Sequence, residues 1–208
     1  MKKRFSGKKI FSLAMCALAI LLFQAGGAQA DPIVSGTTLV TLSGSLGSSS
    51  ISGYNGGPFW VDVQGYGSTQ DFISFCVEAE TFSPGTTYKA WIGTKTIAGG
   101  KDLQYTTAYL YTKFRSNPIP TALYDDYQLA IWHSMNLNLN WTSDEADALL
   151  LEAQNAGWTD YHGVRVMTLT NASTGANAQD QLVMVPEPAS MLLLGVGLLG
   201  LGLARRRR

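Results

Sequence analysis

Two cysteines occur in the 208 residues, Cys16 and Cys76, and their surroundings differ. Cys16 lies in an apolar run, 10–23, that follows Lys2, Lys3, Arg4, Lys8 and Lys9 and gives way to "GGAQA" with Ala28 and Ala30. A basic start, an apolar stretch too short to span a bilayer comfortably and small residues at its end make a secretory signal peptide over 1–30, cut by signal peptidase, with the mature chain beginning near Asp31. Cys16 is in no L-x-x-C box beside the cut and reads as apolar filler. Cys76, in "FISFCVE", is then the one thiol of an exported domain. An odd cysteine in that compartment points to intermolecular pairing or to a reactive group. The plainer alternative is a small buried hydrophobe, a common use of free cysteine. A hydrolase pairing Cys76 with His133 or His162 is a further chemistry these residue types allow, but no local signature of one surrounds them.

A second element, "YQLAIWHSM", sets Gln128, Ala130, Ile131, Trp132 and His133 on a helical pattern. With Phe75-Cys76-Val77 it resembles the paired motifs of thioester domains, adhesin modules in which a strand cysteine between an aromatic and an aliphatic residue joins a helix glutamine. Phe75, Cys76 and Val77 match the cysteine element, and Gln128, Ala130, Ile131 and Trp132 match the glutamine element. Their order and separation also fit; Tyr127 departs, standing where those adhesins usually have threonine. The resemblance implies an internal thioester, formed when the Cys76 thiolate attacks the Gln128 carboxamide and ammonia leaves, with no cofactor and no metal. A surface amine or hydroxyl would later take the acyl group, which is single-use capture rather than enzymatic turnover. Trp132, one turn beyond Gln128, would shield the bond from water. His133 is the nearest group in sequence to help at the thiol, although five residues on it lies well round the helix. The alternative is a non-covalent structural or carbohydrate-associated matrix protein, binding exopolysaccharide through aromatic faces, with Cys76 merely buried.

The other end reads Pro186-Glu187-Pro188, an apolar stretch 189–204, then Arg205, Arg206, Arg207 and Arg208. By length the stretch is a short membrane helix, and the arginines would stay cytoplasmic. The order of the three parts resembles the PEP-CTERM sorting signal of Gram-negative bacteria, which implies an exosortase that cuts near the tripeptide. The inner-membrane anchor would be transient, and the protein would end at the cell surface or in the extracellular matrix.

Composition bounds the partners. Nine of the 15 Lys and Arg lie in the two processed ends, so the middle, from Asp31 to about Pro188, keeps six against 15 Asp and Glu, a net charge of −9. A surface so acidic excludes nucleic acid and anionic lipid as ordinary partners. Asp125 and Asp126 fall in the first turn of an expected helix, where acids suit its dipole better than they suggest a metal site.

One domain, 31–185, has to position these groups. "TTLVTL", "PFWVDVQ", "FISFCVE" and "TYKAWIG" are β-branched and aromatic runs separated by turn residues, and read as strands. "LSGSLGSSSISG", from Leu42 on, reads as a flexible loop. Leu103, Thr107, Leu110 and Phe114 recur at helical spacing, as do Leu123, Tyr127, Ala130, Ile131 and Met135. A third helix follows Thr142 or Ser143, with acids in its first turn and Gly157 as terminator. "GVRVMTLT" and "QDQLVMV" return to strand. The fold class expected is α+β: an antiparallel β-rich N-terminal half, about three helices in the second half, and returning C-terminal strands.

Overall fold

A computed structural model describes residues 31–47, 56–78, 85–97, 99–137, 139 and 143–185. The expected signal peptide with Ala28 and Ala30 lies outside the described residues, as do Pro186, Glu187, Pro188, the apolar stretch 189–204 and the four arginines. Among the described residues, no helix is long and apolar enough to cross a membrane.

Six strands form one antiparallel sheet: β1 Leu39–Ser45, β2 Phe59–Val63, β3 Phe72–Ser74, β4 Thr87–Gly93, β5 Val164–Asn171 and β6 Asn177–Met184. Their order in space is β3-β2-β1-β4-β5-β6. Three helices stand between β4 and β5: α1 Tyr105–Ser116, α2 Tyr124–Ser134 and α3 Asp144–Asn155. The domain is α+β, with helices in its second half and strands returning at its C-terminal end.

The sheet's two edges meet. Beyond β3 the chain leaves β2 and takes β6 as its partner: the Leu182 N–H donates to Phe75 O at 2.9 Å, and the Val77 N–H donates to Asp180 O at 3.0 Å. Cys76 bridges Gln181 between them. The Ser74 hydroxyl adds a bond to Leu182 O at 2.6 Å. Pairing both edges removes open strand ends and makes the sheet a closed barrel.

Closure divides the apolar residues into two cores. Alternate residues of all six strands, including Val40, Leu42, Val61, Val63, Phe72, Tyr88, Ala90, Met167, Leu169 and Val183, fill the barrel. The second core lies between the helices and the wall, and it takes in Phe75, Cys76 and Val77 with Leu110, Tyr111, Tyr127, Ile131, Trp132, Val166 and Leu182. Seven-residue "FISFCVE" is therefore not one strand. Its first three residues belong to β3 and the next three to the seam.

Leu42 corrects the loop expected from that residue. It is fully buried in the barrel and opposite Val61, so 42–45 stay in β1, across a bulge from β2. Apolar burial at Leu42 outweighs the weak strand propensity of the serines and glycine beside it.

The helices begin and end for local reasons. Ser143 caps α3 by accepting the Ala146 N–H at 3.3 Å, and Asp144, Glu145 and Asp147 occupy its first turn. Beyond its end Gly157 takes a φ of +63°, which costs glycine nothing. Asp125 and Asp126 stand in the first turn of α2, as expected, and Asp126 also accepts the Ser143 hydroxyl at 2.5 Å.

Candidate functional site

The seam brings Cys76 against the middle of α2. Both Cys76 and Gln128 are fully buried, although 52 residues separate them in sequence. The Cys76 Sγ lies 3.2 Å from Gln128 Oε1. With a C=O bond of about 1.2 Å, the amide carbon is no more than about 4.4 Å from the sulfur.

The amide is held by three bonds to the backbone. The Gln128 Oε1 accepts the Cys76 N–H at 3.2 Å and the Gly57 N–H at 3.1 Å, while Nε2 donates to Cys76 O at 2.8 Å. Two backbone donors on one side and a carbonyl on the other leave a single orientation for the group. The two N–H groups also sit where negative charge would collect on Oε1 if the carbonyl carbon were attacked, which is the arrangement of an oxyanion hole.

Gly57 is placed by its lack of a side chain. A Cβ there would collide with the Phe59 ring. Any other residue would have to push the ring or the donor aside.

Burial pushes the Cys76 thiol up to about 12, partly offset by N–H groups of Gly57, the Trp132 indole and Cys76 itself, while the charge of Glu78 adds to the rise. The resting sulfur is thus a neutral thiol that donates to Oε1. Trp132 does more than cover the site. It is fully buried one turn beyond Gln128, and its indole favours the ionised form of the sulfur.

The remaining motif residues are packing. The Phe75 ring meets Phe114 edge-on at 4.7 Å and Tyr127 at 6.3 Å. Tyr127, at the departing position, therefore serves the core around the cysteine strand. Val77, Ala130 and Ile131 are fully buried in the helix-side core.

His133 does not reach the sulfur: it is half-buried on α2, and the groups facing Cys76 are Gln128, Gly57, Trp132 and Glu78. His162 is exposed and stacks on Trp158 at 4.0 Å. Five-residue spacing on a helix turns His133 away from the face that carries Gln128 and Trp132. The site residue that sequence reasoning missed is Gly57, whose only signal is the "GGP" turn ahead of β2.

Comparison with known proteins adds the following. The PEP-CTERM protein-sorting motif matches residues 185–208. It marks the chain as exported, transiently anchored in the membrane, processed by exosortase and bound for the cell surface. No curated protein matches the chain. Among solved structures the chain is similar to the N-terminal thioester domain of a surface protein from Clostridium perfringens, at 13% identity and a TM-score of 0.45, over 71% of this chain and 98% of that one. It is also similar to the N-terminal domain of the Streptococcus pyogenes pilus tip adhesin Cpa, at 15% identity and a TM-score of 0.45, over 76% and 99%. Likenesses of that degree carry no weight for the chemistry, which rests on the side chains.

Proposed function

We propose that this exported protein is a covalent surface adhesin, armed by an internal thioester between Cys76 and Gln128. One observation carries the reading: a thiol sits 3.2 Å from the oxygen of a buried amide that two backbone N–H groups already polarise. In formation the Cys76 sulfur attacks the Gln128 amide carbon. The S–C bond forms, the C–N bond breaks, and the thiol proton leaves with the nitrogen as ammonia. The oxyanion passes through the hydrogen bonds of Gly57 and Cys76. Burial keeps water from the product, so the acyl group is stored.

A primary amine or hydroxyl on a target surface then attacks the same carbon. The C–S bond breaks, the sulfur takes the displaced proton, and Gln128 is left as an amide or ester of the target. No second turnover follows.

A thiol pushed up to about 12 favours one competing reading, in which Cys76 is only a buried donor to a satisfied core glutamine. Intact mass of the full chain separates the two. The thioester lowers the mass by one ammonia, and both Cys76→Ala and Gln128→Ala restore it. Methylamine restores the mass of an ammonia-free chain with one methyl added. An unshifted wild-type mass, with the Cys76 thiol titrating freely after unfolding, sinks the adhesin reading.

A further inference from the structure

Beside the Cys76–Gln128 site lies a pair of buried acids that none of these steps uses. Glu78 is two residues beyond Cys76, Asp180 is on β6, and they are 5% and 0% exposed. The loop after β4 supplies one backbone donor to each: the Gly99 N–H to Glu78 Oε1 at 3.2 Å, and the Ile97 N–H to Asp180 Oδ2 at 2.6 Å. Their main chains are tied as well, by the Val77 N–H on Asp180 O at 3.0 Å and the Gln179 Nε2 on Glu78 O at 3.0 Å.

Each acid keeps one buried oxygen, Glu78 Oε2 and Asp180 Oδ1, with no hydrogen-bond partner among the described residues. Ionised carboxylates only accept and repel each other, so a proton between those two oxygens would give each a partner and remove one buried charge. Nearby cations are engaged elsewhere: Lys101 Nζ binds Met135 O and Asn136 O at 3.4 and 3.1 Å, Lys95 pairs with Asp102 at the surface, and Arg165 on β5 lies over Tyr161. Among the described residues no cation reaches either acid, and a proton is what reconciles them. Burial first, and the charge of Glu78 with it, push Asp180 up to about 7, against the N–H groups of Ile97 and Leu169.

We propose that Glu78 and Asp180 hold one proton between them and act as positioning residues for the chemistry at Cys76, presenting one negative charge to the sulfur when protonated and two when ionised. This rests on the thioester reading. The charge of Glu78 already reaches the sulfur and opposes its ionisation. Thioester formation itself takes no proton from the pair, because the thiol proton departs with the ammonia. The pair instead sets how readily the sulfur becomes thiolate. Below the ionisation of the thiol, the thiolate fraction climbs about tenfold per pH unit. Once the pair loses its proton, the second charge takes back part of that climb.

Refolding the full chain from denaturant while following ammonia release between pH 5 and pH 9 tests this. The wild-type rate rises with pH and bends near neutrality, ending about tenfold below the extrapolated line. In Asp180→Asn the amide donates to Glu78 permanently, one fixed charge remains, and the bend disappears; Glu78→Gln acts likewise. Bends at the same pH in all three overturn the proposal. A second arm needs no thioester and compares Tm in a Cys76→Ala background. The folded chain keeps a proton that the unfolded chain releases, so the pair's stabilisation falls as pH rises from about 4 to about 7, and Asp180→Asn lacks that fall. Equal Tm profiles overturn the shared proton. A Tm difference with no ammonia released from any chain supports the shared proton, overturns the thioester reading and ends the pair's part in it.

Discussion

The Trp132 indole and the backbone N–H of Gly57 stand on different elements, and both make the ionised form of Cys76 less costly. A hydrogen bond to a charged group contributes about 1.5–3 kcal/mol. Trp132→Phe keeps a ring in the core and removes only the donor, so thioester formation should slow by about tenfold to a hundredfold while the fold persists. Ammonia release on refolding measures the first effect and Tm the second; an unchanged rate would remove Trp132 from the chemistry. At this scale the sequence was only partly legible. Cys76 and Gln128 stand in side-chain motifs that can be read in one dimension. Gly57 acts through a main-chain atom 71 residues from Gln128, and a backbone N–H carries no residue-type signal.

Ser143 joins two elements through one oxygen, accepting the Ala146 N–H to start α3 and donating to Asp126 at the start of α2. Losing a cap of this kind costs about 1 kcal/mol, with the lost bond to a carboxylate adding to it. Ser143→Ala should therefore lower stability by about 1–2 kcal/mol in denaturant titration, without altering the mass shift that the proposed thioester would give. The helices were legible because their apolar spacing and caps are local. β2 was too, since Phe59, Val61 and Val63 turn inward while Trp60 and Asp62 turn out. The seam was not. Phe75, Cys76 and Val77 are all fully buried, which erases the alternation that marks an ordinary strand, and their partner on β6 is about a hundred residues away.

Across the whole molecule, Asp31 links the first described residue to the last strand and to a helix. Its N–H donates to Met184 O at 2.6 Å, its Oδ2 accepts the Met184 N–H at 2.8 Å, and its carboxylate pairs with Arg115 on α1 at 2.9 Å. The Asp31 side chain is 2% exposed and that of Arg115 15%, so this is a buried ion pair. Burial holds the Asp31 carboxyl above its ordinary value even with Arg115 beside it. Removing one partner of such a pair costs about 3–5 kcal/mol. Arg115→Ala should lose most of that at pH 8 and less near pH 5, because an unpaired Asp31 is raised further and escapes the penalty by taking a proton. Chemical denaturation at the two pH values measures the difference, and a loss independent of pH would contradict it. The pairing of Asp31 with Met184 also brings residue 31 beside the start of the sorting motif, which matches from residue 185.

Gln181 and Met184 belong to one strand, and the seam therefore has a mechanical meaning. A load applied at residue 185 enters β6 and reaches the bridge between Gln181 and Cys76 within four residues. The bonds it meets there, Leu182 to Phe75 and Val77 to Asp180, join neighbouring strands directly. Under the proposed capture, tension between the tail and a target held on Gln128 would meet β6 and the cysteine strand at this seam before it reached α2.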